Sequence, residues 1–232
     1  MNEFVLNLDQ QLLLMMNGSH SLFADGVMMI ATNAFTWIPL YVALFYLVIK
    51  NNENMSQVVL VVGCSALCVF LADGVSSGII KPLIGRMRPS NDPRLAGFVD
   101  VVSGYRGGRF GFFSSHAANT FSVFLFFALV VRNKIFTLFM LSWTLFNCYT
   151  RIYLGVHYPG DIFIGLVWGA IVGSGVYYLV YKNIYRHITP ELSYISSEYS
   201  ASGYMLRDIY AVVDVLLFIY IYVIIRAGIM FG

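Results

Sequence analysis

The chain has 232 residues, of which 59% are hydrophobic and only 11% charged, and its formal net charge is +2. Soluble domains carry about 25% charged and about 45–50% apolar residues, so the composition excludes an ordinary soluble enzyme and, at so small a net charge, a nucleic-acid binder. A mean hydropathy of +0.73 points instead to an all-α, polytopic membrane helix bundle, a single unit over residues 1–232.

The opening stretch, MNEFVLNLDQQLLLMMNG, lacks the basic start of a cleavable signal peptide. Its segment over about residues 3–16 mixes leucines with Asn7, Asp9, Gln10 and Gln11, too short and polar to cross a bilayer, and predicts a helix lying at the interface. Six stretches approach the about 20 apolar residues that a crossing needs: about 27–49, 57–80, 116–131, 134–151, 161–181 and 209–230. Cys64, Cys68 and Cys148 fall inside them without metal-site or disulfide spacing, and are expected as buried free thiols. Gly165, Gly169 and Gly173 are consecutive small-residue steps that mark close helix packing. Asp73 is an intramembrane acid for which a structural and a functional reading stand level; Asp214 and Arg226 are expected to be structural, and His20 and His187 to be surface residues.

With six crossings, the N-terminus, the long 82–115 loop, the 152–160 loop and the C-terminus share one face. The short loops of the opposite face carry Lys50, Arg132, Lys134, Lys182, Arg186 and Arg207, which places that face in the cytoplasm and the first face outside. Three clusters gather on the outer face: KPLIGRMRP (81–89), FFSSH (112–116) and TRIYLGVHYPGD (150–161). Lys81, Arg88 and Arg151 offer positive charge suited to a phosphate, the arginines in bidentate fashion. Pro159 predicts a helix start, which puts Asp161 in the first turn, able to take the N–H of one nitrogen of His157 and leave the other free to attack. His116 suits proton donation to a leaving oxygen. The Ser114 hydroxyl and the amides at Ser115 and His116 suit phosphate oxygens at a helix start.

Lys-x6-Arg-Pro, Ser-x-His and Arg-x5-His-x3-Asp, in this order, resemble the signature of the type 2 phosphatidic acid phosphatase family, within the superfamily of acid phosphatases and vanadium haloperoxidases. The motif-bearing core covers about residues 57–181. The resemblance implies a bacterial-type membrane lipid phosphatase. Lys81, Arg88 and Arg151 would bind phosphate, His157 would form a phosphohistidine, Asp161 would partner it, and His116 would be the general acid; no metal or cofactor is implied. Ser115 stands where the family usually has glycine, with its hydroxyl a further phosphate contact, and Thr150 stands where the family usually has serine. The implied partner is a phosphorylated lipid in the inner membrane, with the site on the extracytoplasmic face. Arg86, Arg94, Arg106 and Arg109 tilt the choice toward lipid A phosphate or undecaprenyl diphosphate over phosphatidylglycerol phosphate or phosphatidic acid. A vanadate-dependent haloperoxidase and a transporter are the rival readings. Relatives of the first kind are usually soluble, and transport sites lie near the midplane, whereas these residues collect at segment ends.

Overall fold

In a computed structural model that describes residues 3–19, 21–188 and 197–231, the chain forms eight principal helices. They are α1 (Glu3–Met16), α2 (Leu22–Ala31), α3 (Ile38–Lys50), α4 (Met55–Ile84), α5 (Ser115–Val131), α6 (Lys134–Tyr153), α7 (Pro159–Ile188) and α8 (Leu206–Phe231). No strand occurs among the described residues; Met87 and Phe110 form one isolated antiparallel bridge in the long loop, and Tyr199 and Met205 form another. Four of the helices begin after a residue whose side chain accepts one of their free amides. The side chains of Ser21, Asn54, Ser114 and Asn133 cap α2, α4, α5 and α6, and Pro159 opens α7 with its fixed φ.

Three helices, α4, α7 and α8, are long and apolar enough to cross a bilayer alone. The expected single crossing over 27–49 is instead a bent pair. Helix α2 stops at Thr32, Asn33 caps a 3-10 turn over Ala34–Trp37, and α3 leaves at 67°. The pair passes the same apolar test together, as a fourth crossing. Helix α5 is apolar but has only 17 residues, and α6 lowers its hydropathy with buried Thr144, Asn147 and Arg151. Helices α4 and α7 run beyond their expected ends, each through a π-helical segment, Gly74–Ile80 and Val176–Tyr181. All three cysteines are free and buried, and His187 is exposed. His20 lies outside the described residues.

The packing of α5 on α7 positions the site. A Cβ at Gly165 would stand 2.7 Å from the Ser114 carbonyl oxygen, one at Gly169 2.7 Å from that of Ala118, and one at Gly173 2.7 Å from that of Ser122. Only hydrogen fits in those gaps, so the two backbones run in contact from their first turns onward. Helix α1 docks beside them. Its Leu13 is fully buried in a cluster with Leu95, Ala117, Cys148, Ile152, Tyr158 and Ile162, while Leu8, Leu12, Leu14 and Met15 stay exposed. Gly169→Ala is expected to destabilise the bundle by about 1–3 kcal/mol through overpacking. Gly175→Ala, where an added Cβ meets nothing within 4 Å, is expected to be neutral or to stabilise by up to about 1 kcal/mol through helix propensity. Reversible unfolding of both variants in detergent measures the difference.

Candidate active site

Lys81 sits in the last turn of α4, where the preceding π-helical segment turns Ser76, Ser77 and Lys81 toward the start of α5. Its Nζ donates to Ser77 Oγ at 3.3 Å and to Ser115 Oγ, and Ser115 Oγ also meets Ser76 Oγ at 3.0 Å and Ser77 Oγ at 2.9 Å. Ser77 donates in turn to Asp73 Oδ1 at 3.0 Å. Asp73 thus joins the site through a hydroxyl and lends Lys81 its negative field.

The chain then doubles back. Gly111 N donates to Arg86 O at 2.9 Å and Arg88 N to Arg109 O at 3.4 Å, which pins the two limbs of the long loop together. Arg88 is buried; its Nε donates to Phe110 O at 3.1 Å, and its Nη1 lies 3.4 Å from both Val156 O and His157 Nε2. Helix α6 ends in a closed turn in which Val156 N and His157 N both donate to Arg151 O, at 3.1 and 3.2 Å. Gly155 allows the turn with φ +64°, and a Cβ there would stand 2.6 Å from Val99 Cγ1. Arg151 is buried with Nη1 donating to Thr32 Oγ1 and, at 3.1 Å, to Tyr105 Oη. Its buried Nε has no hydrogen-bond partner.

Asp161 lies in the first turn of α7 and is fully buried. Its Oδ2 accepts Tyr158 N at 3.1 Å and faces His157 Nδ1 at 3.5 Å, a contact too loose to form a hydrogen bond. Guanidinium groups only donate, so Arg88 against Nε2 makes that nitrogen the lone-pair nitrogen and puts the imidazole proton on Nδ1, facing Asp161. Burial first, then the charges of Arg88, Arg151 and Lys81, hold His157 well below the ordinary histidine range of about 6.5. The ring is therefore neutral at neutral pH. His116 is exposed at the start of α5 and lies within the field of Arg151, His157, Arg88 and Lys81.

The Ser114 hydroxyl is fully buried and accepts Ala117 N at 3.4 Å as the cap of α5. The loop arginines each make a contact within the fold. Arg94 pairs with Asp92 at 2.7 Å, Arg106 donates to Ser90 O, and Arg109 lies 5.2 Å over the Phe110 ring. Arg86 bridges Asp9 Oδ2 at 2.6 Å and Asp161 Oδ1 at 2.7 Å, and stacks 3.9 Å over Tyr158. Arg226 meets Tyr222. Asp9, Thr32 and Tyr105 carried no sequence signal, since each meets its arginine across a long separation; the flank of Arg86 beside Arg88 was the one available hint.

Among the described residues, Lys81, Arg88 and Arg151 form no ion pair, whereas Arg86, Arg94 and Arg207 each do. Three unpaired cations around a neutral imidazole could hold an anion beside a side chain of nucleophilic type. A helical membrane bundle with such a site at the ends of its helices defines an enzyme that works on an anionic group at the bilayer surface. The chain belongs to the PAP2 superfamily, whose sequence model matches residues 57–185, and is a membrane phosphatase. It is 40% identical over 183 residues to a lipid A 4′-phosphatase of Bacteroides thetaiotaomicron, covering 78% of this chain and 81% of that one. It is 37% identical over 176 residues to a lipid A 4′-phosphatase of Porphyromonas gingivalis, covering 75% and 74%. No solved structure matches the chain.

The state of His157 has a signed consequence for stability. Below pH about 6.5 the unfolded chain protonates this histidine while the folded chain, with its depressed pKa, does not. Its contribution to stability is complete above that pH and is lost as pH falls toward the folded value, by up to about 1.4 kcal/mol per pH unit. His157→Gln is expected to flatten that part of the wild-type slope, read from denaturant unfolding between pH 5 and 7.

Proposed function

We propose that the chain, acting as one phosphatase domain with its motif-bearing core over about 57–181, removes the 4′-phosphate of lipid A at the extracytoplasmic face of a bacterial inner membrane. The observation that carries the reading is the trio Lys81, Arg88 and Arg151, unpaired beside the neutral His157. The identities of 40% and 37% to lipid A 4′-phosphatases, each over about three-quarters of this chain, support the choice of lipid.

His157 Nε2 attacks phosphorus. A nitrogen–phosphorus bond forms as the bond from phosphorus to the sugar oxygen breaks. Lys81, Arg88 and Arg151 hold the equatorial oxygens and stabilise the charge that builds on them. Ser115 Oγ and the free amides at the start of α5 add neutral donors. Asp161 faces the Nδ1–H and stabilises the positive ring as the bond forms. His116 gives its proton to the departing sugar oxygen. Water then attacks phosphorus, His116 takes the water's proton, the nitrogen–phosphorus bond breaks and inorganic phosphate leaves. A site at helix ends lets the lipid keep its acyl chains in the bilayer throughout. The basic short loops on the opposite side, with Lys50, Arg132 and Lys134 among their residues, support the outward orientation.

Lipid A bearing both phosphates is expected to lose only the 4′-phosphate, with kcat/KM at least about tenfold above that for phosphatidic acid or undecaprenyl diphosphate. Mass spectrometry and phosphate release measure this. His157→Ala is expected to abolish both turnover and an acid-labile phosphoenzyme, and His116→Ala to slow turnover by about 10²–10⁴-fold. Equal turnover by His157→Ala and wild type would refute the mechanism. For orientation, Phe98→Cys places a thiol at a position that is 73% exposed, while the native cysteines are buried. It is expected to react with an impermeant maleimide in intact cells; protection until lysis would reverse the assignment.

A further inference from the structure

The helix that precedes the family core reaches into the site. Asp9 lies on α1, outside the matched residues 57–185, yet its side chain is buried, with 6% of the residue exposed. Its Oδ2 accepts Arg86 Nη2 at 2.6 Å, and its Oδ1 accepts Gly160 N at 2.7 Å. Arg86 Nη1 then donates to Asp161 Oδ1 at 2.7 Å. That leaves Asp161 Oδ2 for Tyr158 N and for the face of His157 Nδ1.

We infer that Asp9 and Arg86 are positioning residues of the phosphohistidine reaction: the N-terminal helix, through the Asp9–Arg86–Asp161 chain of contacts, sets the angle at which Asp161 faces the His157 imidazole. The inference rests on the phosphatase reading above.

A carboxylate as buried as Asp161 is costly to keep ionised without a cation and hydrogen bonds, and Arg86 is the cation in contact with it. Arg86 touches Asp161 with one nitrogen only, so by itself it could swing. Asp9 holds its second nitrogen, and Tyr158 supports its plane from 3.9 Å. The guanidinium is thereby fixed at three points, and Asp161 inherits the fixed geometry. Gly160 completes the socket. A Cβ there would stand 2.9 Å from Asp9 Oδ2 and 3.1 Å from Oδ1, so glycine between Pro159 and Asp161 is what lets the carboxylate reach the first turn of α7. The His157–Asp161 contact of 3.5 Å is loose, and positioning matters most where a contact must tighten during the reaction. Misplacement of a reacting group by about 1 Å can cost about 10²-fold in rate.

A purely structural role, fastening α1 to the bundle, would lower thermal stability and leave the chemical step alone. The test therefore reads the chemical step in the full-length protein, in detergent, with lipid A and with p-nitrophenyl phosphate. Four variants disturb the chain of contacts differently. Asp9→Asn removes the charge and keeps an acceptor for Gly160 N. Gly160→Ala keeps every charge and pushes the carboxylate out. Arg86→Lys keeps a cation and loses the second contact, beside Arg86→Ala, which loses both. Rapid-quench phosphoenzyme formation is expected to slow about tenfold in Asp9→Asn and Gly160→Ala, and about 10²-fold in Arg86→Ala, with Arg86→Lys in between. KM and orthovanadate inhibition are expected to stay within about twofold of wild type, because the three substrate cations are untouched; retained vanadate inhibition also shows that each variant is folded. Phosphoenzyme formation at the wild-type rate in both Asp9→Asn and Gly160→Ala, whatever their melting temperatures, would overturn the inference and leave the phosphatase reading standing. A wild-type protein that releases phosphate from neither substrate would remove both.

Discussion

The site depends on how closely two helices can approach. Gly165, Gly169 and Gly173 of α7 lie against the carbonyls of Ser114, Ala118 and Ser122, so both helices step by four residues along one shared seam. Between helices surrounded by lipid there is no hydrophobic drive, and association rests on van der Waals packing and polar contacts. Small residues are the condition for such packing. Helices α5 and α7 both start on the same side of the bundle, and Ser114 N donates to Asp161 O at 3.0 Å across their first turns. Close contact along the seam therefore brings Ser115 and His116 to the same level as His157 and Asp161. A gap of one methyl group along the seam would part them.

Charge is then sorted into two sets within that frame. Arg86 and Arg94 are matched by carboxylates and serve the fold. Lys81, Arg88 and Arg151 are offered only neutral partners: the Ser77 and Ser115 hydroxyls, the Phe110 and Val156 carbonyls, Thr32 and Tyr105. Neutral dipoles offset part of the desolvation cost of each cation without cancelling its field. Arg151 presses on Arg88, whose buried guanidinium is held below its usual range by burial first and then by Arg151. In the proposed mechanism an arriving phosphate would relieve that repulsion, and its developing charge would meet dipoles and cations already in place.

What could be read in advance follows from how local each feature is. Helix starts, the place of Asp161 in a first turn, the buried thiols and the small-residue seam are set within a few residues, and all are legible in the chain. The bend after α2 is not, because Thr32 and Asn33 are as acceptable within an apolar run as at its break; only the cap made by Asn33 distinguishes them. Ser114 suits a helix cap and a phosphate contact equally, and the sequence cannot say which its hydroxyl serves. Arg86 looks like its loop neighbours until Asp9 is brought to it from 77 residues away. The six hydropathic stretches correspond to helices, but hydropathy alone does not grade them. Helix α6 carries Thr144, Asn147 and Arg151 inward, so its apolar signal weakens where its functional content rises.

The spacing between Arg151 and His157 has a meaning beyond its use as a signature. The amides of Val156 and His157 both hang on the Arg151 carbonyl, so the proposed clamp and the proposed nucleophile belong to one turn. Lys81 and Arg88 belong to a second piece, the end of α4 and the limb that follows it. That piece is fixed to the first by Ser90 N on Gly155 O at 2.9 Å and by Arg86 on Asp161. In the proposed mechanism a phosphate between the two pieces would be gripped from both, and any slackness in their junction would appear directly as error in the line from His157 Nε2 to phosphorus. The junction therefore has to be stiff where it crosses, and it is made of buried ion pairs and a glycine turn, contacts whose geometry admits little play. The proposed chemistry needs that gap to keep its width.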